Sequence, residues 1–263
     1  MSPLLRVSLS TQRRAAIGWG IGLAAVAAMY AAFYPSITQS APDLQAYVDK
    51  MPDAVKELVG SNYTSPAGYL RAELFSLLGP ILFLVYAVSA GGKTIAGEEE
   101  QRSLDLLLST PVSRSHVVRD KALALLISMV ALSAFLFVVV VVVGRPFDLV
   151  VPIQDAAAAC MMLLLVGVAF ASIALAVGSA SGRKSTAYAI AGVIAVATYV
   201  LNVVAPSVPS LRWARPLSPF RWYFVPDPLT TGLHPANVAV LVGITVVSTA
   251  IAFWSFRRRD LAA

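Results

Sequence analysis

Few residues in this chain have the types and spacings that do chemistry. Gly91-Gly92-Lys93-Thr94 ends in the Gly-Lys-Thr of a phosphate-cradling loop, in which backbone N–H groups and the lysine hold a nucleotide's phosphates. The glycine that such a loop needs earlier is missing at the required spacing. The tetrapeptide also follows an apolar block rather than a soluble strand, so it reads as a helix end, and the chain supplies no ATP hydrolysis of its own. No Ser–His pair, Asp pair or zinc motif falls within an apolar block, which leaves no intramembrane protease site. His116 and His234 fall on opposite sides in the topology derived below and cannot share a metal. The single cysteine, Cys160, excludes an internal disulfide. What remains is the run Gly97–Arg114, with Glu98-Glu99-Glu100 near its start, and its chemistry is ion pairing and docking.

The elements that carry this run follow from composition. The chain has 263 residues, 58% hydrophobic and 13% charged, with a mean hydropathy of +0.75. Soluble domains carry about 45–50% apolar and about 25% charged residues. The excess lies in six blocks, Ala15–Tyr34, Leu74–Gly92, Ala122–Val143, Ala156–Ala180, Thr186–Ala205 and Ala236–Phe256, each free of Asp, Glu, Lys, Arg and His. Each is long enough to cross about 30 Å of hydrocarbon as a helix. Backbone groups in lipid must be satisfied within the segment, and the alternation of a membrane β-barrel is absent. The expectation is an all-α membrane protein with six transmembrane helices, including the valine run Val138–Val143, which would favour strand in water. A signal peptide shares the order of the first block, but its apolar part is about 7–15 residues. Without a small-residue cleavage site, the block reads as a retained span. Spans free of ionisable groups argue against proton coupling. Oxygen-lined sodium sites from Ser172, Thr198 or Asn202 stay open, and a channel is weakened by the lack of a charged ring.

Orientation comes from the connecting segments. Arg6, Arg13, Arg14, Lys93, Arg102, Arg114, Arg119, Lys121, Arg183, Lys184, Arg257, Arg258 and Arg259 lie on one side, 13 of the 20 basic residues. The positive-inside rule puts that side, with both termini, in the cytoplasm. The net charge of +6 therefore reports membrane topology rather than nucleic-acid binding. Residues 1–263 form one transmembrane domain. Its outer segment 35–73, with Tyr47, Val48, Val55, Leu58 and Val59, is either a set of short amphipathic helices over the outer mouth or a spacer. The outer segment 206–235 holds seven prolines with Trp213, Phe220, Trp222, Tyr223 and Phe224. Prolines forbid a long helix there, and the aromatics suit the lipid–water interface. This segment either lies on or dips into the membrane, or forms an ordinary interfacial belt.

The cytoplasmic loop 97–121 is the most informative stretch. Leu104, Leu107 and Leu108 fall at i, i+3 and i+4, one face of a short helix. Glu98, Glu99 and Glu100 lie at its start, where the helix dipole favours negative charge. Pro111 stops it, and Thr110 can cap a new helix with Pro111 at its first position, running through Arg114, Arg119 and Lys121 into the third span. The exposed apolar face needs a partner. Lipid is one candidate, but three glutamates would be repelled by an anionic inner leaflet, so a protein partner is favoured.

The stretch Glu98-Glu99-Glu100-Gln101-Arg102-Ser103-Leu104-Asp105-Leu106-Leu107-Leu108-Ser109-Thr110-Pro111-Val112-Ser113-Arg114 resembles the loop signature of ABC-2 type (type V) ABC transporter permeases. There an acidic patch precedes a Gly-Thr-Leu-Glu-Leu-Leu-Leu-like helix and a Thr-Pro-Val-Ser-Arg turn; Arg102 stands where the family often has Gly. The six-span plan with a large outer segment before the last span is similar too, so the resemblance covers essentially the whole chain. It implies a permease subunit of an ATP-driven transporter, usually an exporter. A separate cytosolic ATPase subunit would carry ATP and Mg, with no cofactor bound by this chain. A second permease, as homodimer or heterodimer, would complete the complex in a plasma membrane, here a bacterial inner membrane. By this resemblance Leu104, Leu107 and Leu108 fill a groove on the ATPase, and Glu98, Glu99, Arg102 and Arg114 make polar contacts at its rim. Glu100, Ser109 and Pro111 belong to the same interface, and Arg183 and Lys184 to a second, shorter contact. The segment 1–14 resembles the family's membrane-surface helix before the first span. Uncharged spans suit a hydrophobic or amphipathic cargo such as a drug, antibiotic or lipid. The rival reading is a non-transporting membrane scaffold that recruits another cytosolic protein. Gly18 with Gly22, and Gly178 with Gly182, have close-approach spacing for packing within the subunit or for a dimer contact.

Overall fold

The computed structural model describes residues 2–40, 46, 50–51, 62–101 and 113–259. Tyr47, Val48, Val55, Leu58 and Val59 lie outside the described residues, as do Arg102, Leu104, Leu107, Leu108, Ser109, Thr110 and Pro111. Among the described residues there are six helices long and apolar enough to cross a membrane, and no strand. They are α1 (Pro3–Gln39), α2 (Pro66–Thr94), α4 (Arg114–Gly144), α5 (Ile153–Ser181), α6 (Lys184–Val204) and α9 (Pro235–Arg258). Three short helices complete the set: α3 (Ala96–Glu100), α7 (Pro219–Phe224) and α8 (Pro228–Thr231). Start signals are local and chemical. Ser2, Ser65 and Ser113 each accept a backbone N–H of the first turn they precede. Proline occupies the first turn of α1, α2, α7, α8 and α9, where no intrahelical N–H is needed.

The helices overrun the apolar blocks. Residues 3–14 are continuous with the first span, and the helix passes Pro35 to end at Gln39. Helices α2 and α4 take in Arg71, Glu73, Asp120 and Lys121, so freedom from ionisable groups holds for the blocks but not for the whole helices. Each of these groups is partnered. Arg71 pairs with Asp227 at 2.7 Å, Lys121 with Glu98, and Asp120 with Arg119 and the Ser2 hydroxyl. Glu73 accepts the Tyr63 hydroxyl at 2.6 Å. Pairing is what makes charge tolerable near an apolar span.

Pro80 lies inside α2 and has no N–H for the carbonyl of Ser76. The turn before it, Arg71–Leu78, widens to π-helix, and Gly79 N–H donates to Leu74 O. Phe75 O and Ser76 O thereby lose their donors four residues on. Tyr223 Oη donates to Phe75 O at 2.8 Å, and Tyr199 Oη to Ser76 O at 3.1 Å. Neighbouring side chains thus satisfy the backbone groups that the proline frees. Tyr223 is 2% exposed, so Tyr223→Phe leaves Phe75 O without a donor. It is expected to destabilise the protein by about 1–2 kcal/mol. Thermal unfolding in detergent checks this; an unchanged midpoint would remove the hydroxyl from the helix's support.

Helix α5 is the axle of the bundle. It packs against α2, α4, α6 and α9, and 72% of its most apolar window is buried, against 17–22% for α1, α6 and α9. Small residues allow this: a Cβ on Gly91 of α2 would sit 2.2 Å from Ala171 O of α5. Gly178 serves packing within the chain, facing Gly92 O and Ala96, whereas Gly18 and Gly22 have nothing within 4 Å and look outward.

The segment before α9 folds back into the bundle. After a 3-10 stretch (Pro209–Leu217), Phe220, Tyr223 and Phe224 are buried, with Phe220 5.6 Å from Phe170 of α5 and 5.2 Å from Tyr199 of α6, ring centre to ring centre. Asn237 Nδ2 donates to Trp222 O and Val225 O, and Ser218 Oγ to Thr198 O. The aromatics that the sequence assigns to an interface therefore fill one end of the helical bundle, while Trp213 remains 75% exposed.

Candidate functional site

At the other end of the bundle, the end of α2 delivers the acidic run. Thr94 Oγ1 donates to Ala90 O at 2.5 Å, and Ile95 is fully buried among Val117, Val118, Leu175, Ala252 and Phe256. This apolar floor, from α4, α5 and α9, seats the short helix α3. Consecutive residues on a helix point about 100° apart, so Glu98, Glu99 and Glu100 fan out to three different neighbours.

Glu98 pairs with Lys121 of α4, whose side chain is only 3% exposed. Glu99 pairs with Arg259, just past the end of α9. Glu100 receives the Lys184 ammonium at 3.0 Å and the Lys184 backbone N–H at 2.9 Å, capping the first turn of α6. Hydrogen bonds from the Lys184 side chain and then its backbone N–H hold the Glu100 carboxyl below the usual range. The acidic run thus ties the end of α2 to α4, α6 and α9.

Arg259 is the most connected member. Its Nη1 also donates to Ser179 O at 3.1 Å, while Arg114 Nη1 donates to Arg259 O at 2.7 Å and lies 3.5 Å from Phe256 O. Arg114 thereby satisfies carbonyls at the end of α9, where a cation is favoured. Gly182 closes α5 with a positive φ of 68°, and its N–H returns to Gly178 O. A Cβ there would lie 2.2 Å from Arg259 Nη2 and 2.7 Å from Glu99 Oε1, so the pair passes over a position that only glycine leaves open. Glu99 Oε2 and Ser179 Oγ are buried without a hydrogen-bond partner among the described residues. A cavity of about 360 Å³ adjoins the clasp, with Gln12, Tyr86, Lys93, Glu98, Gln101 and Lys121 among the residues that line it.

Five residues singled out from sequence, Glu98, Glu99, Glu100, Arg114 and Lys184, thus meet in one corner, and Arg183 is exposed beside them. Arg102, Leu104, Leu107, Leu108, Ser109 and Pro111 lie outside the described residues. Lys121, Gly182 and Arg259 were missed as members of this corner. In the sequence Arg259 stands out only as a topological charge, and Lys121 as that and as part of the helix entering the third span. The signal available was that three adjacent carboxylates require three bases. Elsewhere, α2 and α6 frame an apolar groove of about 550 Å³, with Leu77, Ile81, Val85, Val196 and Tyr199 among its walls.

Six apolar helices tied at one end by an ionic clasp, at the root of segment 102–112, define a multi-pass helical membrane protein. The family model of the ABC-2 family transporter protein matches residues 4–261, and the chain belongs to that family. It is accordingly a membrane permease of an ABC transporter, and the family brings with it an ABC ATPase partner. A search among curated proteins finds no match.

Proposed function

We propose that this permease couples ATP hydrolysis on a separate cytosolic ATPase subunit to export of a hydrophobic or amphipathic compound across a bacterial plasma membrane. The observation that carries the reading is the clasp of Glu98, Glu99 and Glu100, because it joins the base of segment 102–112 to α4, α6 and α9 as well as α2. A push on that segment reaches four spans at once. Leu104, Leu107 and Leu108 supply the apolar contact with the ATPase, Ser109 and Pro111 belong to the same interface, and Arg102, Arg114, Arg183 and Lys184 form its polar surround. ATP and Mg belong to the partner. The basic end of the bundle faces the cytoplasm with both termini. A second permease, identical or not, completes the path, and the outward faces of Gly18 and Gly22 favour close contact with it. The groove between α2 and α6 suits an apolar cargo.

Purification from native membranes in mild detergent tests the reading. An ATPase at one-to-one stoichiometry is expected. Leu107→Asp with Leu108→Asp should lower its recovery at least tenfold while membrane insertion persists, since charge in an apolar groove is strongly disfavoured. A permease that stays free of ATPase with nucleotide present would favour the scaffold. Undiminished ATPase recovery with the double variant would remove the leucines from the contact.

A further inference from the structure

The last turns of α9 carry a feature that the clasp does not use. Ala250, Phe253, Trp254, Arg257 and Arg258 fall at i, i+3, i+4, i+7 and i+8 and form one stripe. With Ser115 in the first turn of α4, they line a cleft of about 650 Å³. Arg114, bound to the terminal carbonyls of α9, holds the two helix ends together at its back. We propose that this cleft binds the phosphodiester head group of an anionic phospholipid.

The stripe reproduces the layering of a lipid leaflet. Ala250 and Phe253 are apolar, Trp254 follows with 57% of its surface exposed, and the arginines come last. Tryptophan at head-group depth with basic residues beyond it is the expected order at a membrane interface. The Arg258 guanidinium lies 4.5 Å from the centre of the Trp254 ring, so stacking holds it in place while its edge N–H groups stay available. Arg257 has no ion-pair or hydrogen-bond partner among the described residues, in contrast to neighbouring Arg259. Among the described residues, no carboxylate lines the cleft. Two guanidinium groups without a counter-charge among the described residues, beside apolar surface, call for an anion, and their planar forks fit phosphate oxygens. Ser115 Oγ adds a hydroxyl donor.

A lipid is favoured over other anions by the apolar half of the stripe. Free phosphate would engage the arginines alone, and an acidic peptide would leave Phe253 and Ala250 without use. Basic pockets between membrane helices are established head-group sites, each arginine adding close to a factor of five in affinity for anionic lipid. The pair predicts a preference of about 30-fold for phosphatidylglycerol over phosphatidylcholine with the same acyl chains.

Native mass spectrometry of the full chain, purified with whatever subunits stay bound, reads this directly. Wild-type protein should retain one phosphatidylglycerol at concentrations at least tenfold below those needed for phosphatidylcholine. Arg257→Gln with Arg258→Gln should bring the two lipids within about twofold, while Arg257→Lys with Arg258→Lys keeps part of the preference. Equal retention by the wild type, or an undiminished preference in the glutamine variant, overturns the proposal. So does displacement of the lipid by millimolar inorganic phosphate, which would assign the cleft to the free anion. If the glutamine variant does not fold, unmodified protein decides. Its unfolding midpoint should be higher in phosphatidylglycerol vesicles than in phosphatidylcholine vesicles, and 0.5 M salt should erase the difference; equal midpoints sink the idea. None of these readouts depends on the ATPase contact.

Discussion

Arg259→Ala is expected to destabilise the protein by about 3 kcal/mol, the low end of the range for breaking a buried ion pair by removing one partner. The reason is what it leaves behind. Glu99 already has one buried oxygen without a hydrogen bond, and loss of the guanidinium would strip the other as well. Ser179 O would lose its donor, and the end of α9 would lose its link to α5. The side chains of the pair are 22% and 19% exposed, so water reaches them in part, which places the effect at the low rather than the high end. Glu99→Gln with Arg259→Gln should cost less than Arg259→Ala or Glu99→Ala alone, because no unpaired charge stays behind. Exchange of the pair, Glu99→Arg with Arg259→Glu, should recover part of the stability. Thermal unfolding in detergent measures all of these. A double variant as unstable as the sum of its singles would mean that the two residues do not act as a pair. On the coupling role proposed above, the glutamine pair should also keep ATPase binding and ATP turnover while transport falls, because the push on segment 102–112 would no longer reach α9.

The parts of this fold legible in the sequence are those that lipid imposes on composition. A block such as Ala156–Ala180 has no alternative to helix in hydrocarbon, and hydropathy alone marks it. Helix ends are less legible. Arg71 and Lys121 sit inside helices because carboxylates elsewhere in the chain neutralise them, while Glu73 and Asp120 accept hydroxyl hydrogen bonds from Tyr63 and Ser2, and a hydropathy window cannot see a partner. The π-turn before Pro80 depends in the same way on Tyr199 and Tyr223, two hydroxyls from distant helices. In the clasp, Glu98 through Glu100 stood out as an acidic run. Their bases lie 23 and 160 residues away for Glu98 and Glu99, and no spacing rule connects such positions. The aromatics Phe220, Tyr223 and Phe224 fit the chemistry of a membrane interface and of a buried plug equally well. Only packing against Phe170 and Tyr199 separates the two.

Gly91→Ala is expected to cost about 3 kcal/mol, the upper end of the usual penalty for overpacking. Gly91-Gly92 belongs to the tetrapeptide that resembles a fragment of a phosphate loop, yet its glycines serve helix contact. The added methyl would lie 2.2 Å from Ala171 O and 3.1 Å from Ala171 Cα. Both are backbone atoms of α5, the helix against which four others pack, so no rotamer change relieves the clash. Restoring an ordinary contact requires α2 to move away from α5 by roughly 1 Å, and close-packed interiors transmit such a shift rather than absorb it. Gly92 would resist from the side of α6, where its own Cβ position is 2.8 Å from the Tyr188 ring. A cost of that size should lower the unfolding midpoint by about 6–12 °C for a chain of this length. Gly243→Ala is the control: nothing lies within 4 Å of that position on α9, and alanine favours helix intrinsically. A Gly91→Ala midpoint within about 1 °C of Gly243→Ala would show that α2 and α5 do not depend on this approach. The clasp and the buried Ile95 would then fix the end of α2, since Glu98, Glu99 and Glu100 follow directly on the helix end that Gly91 seats.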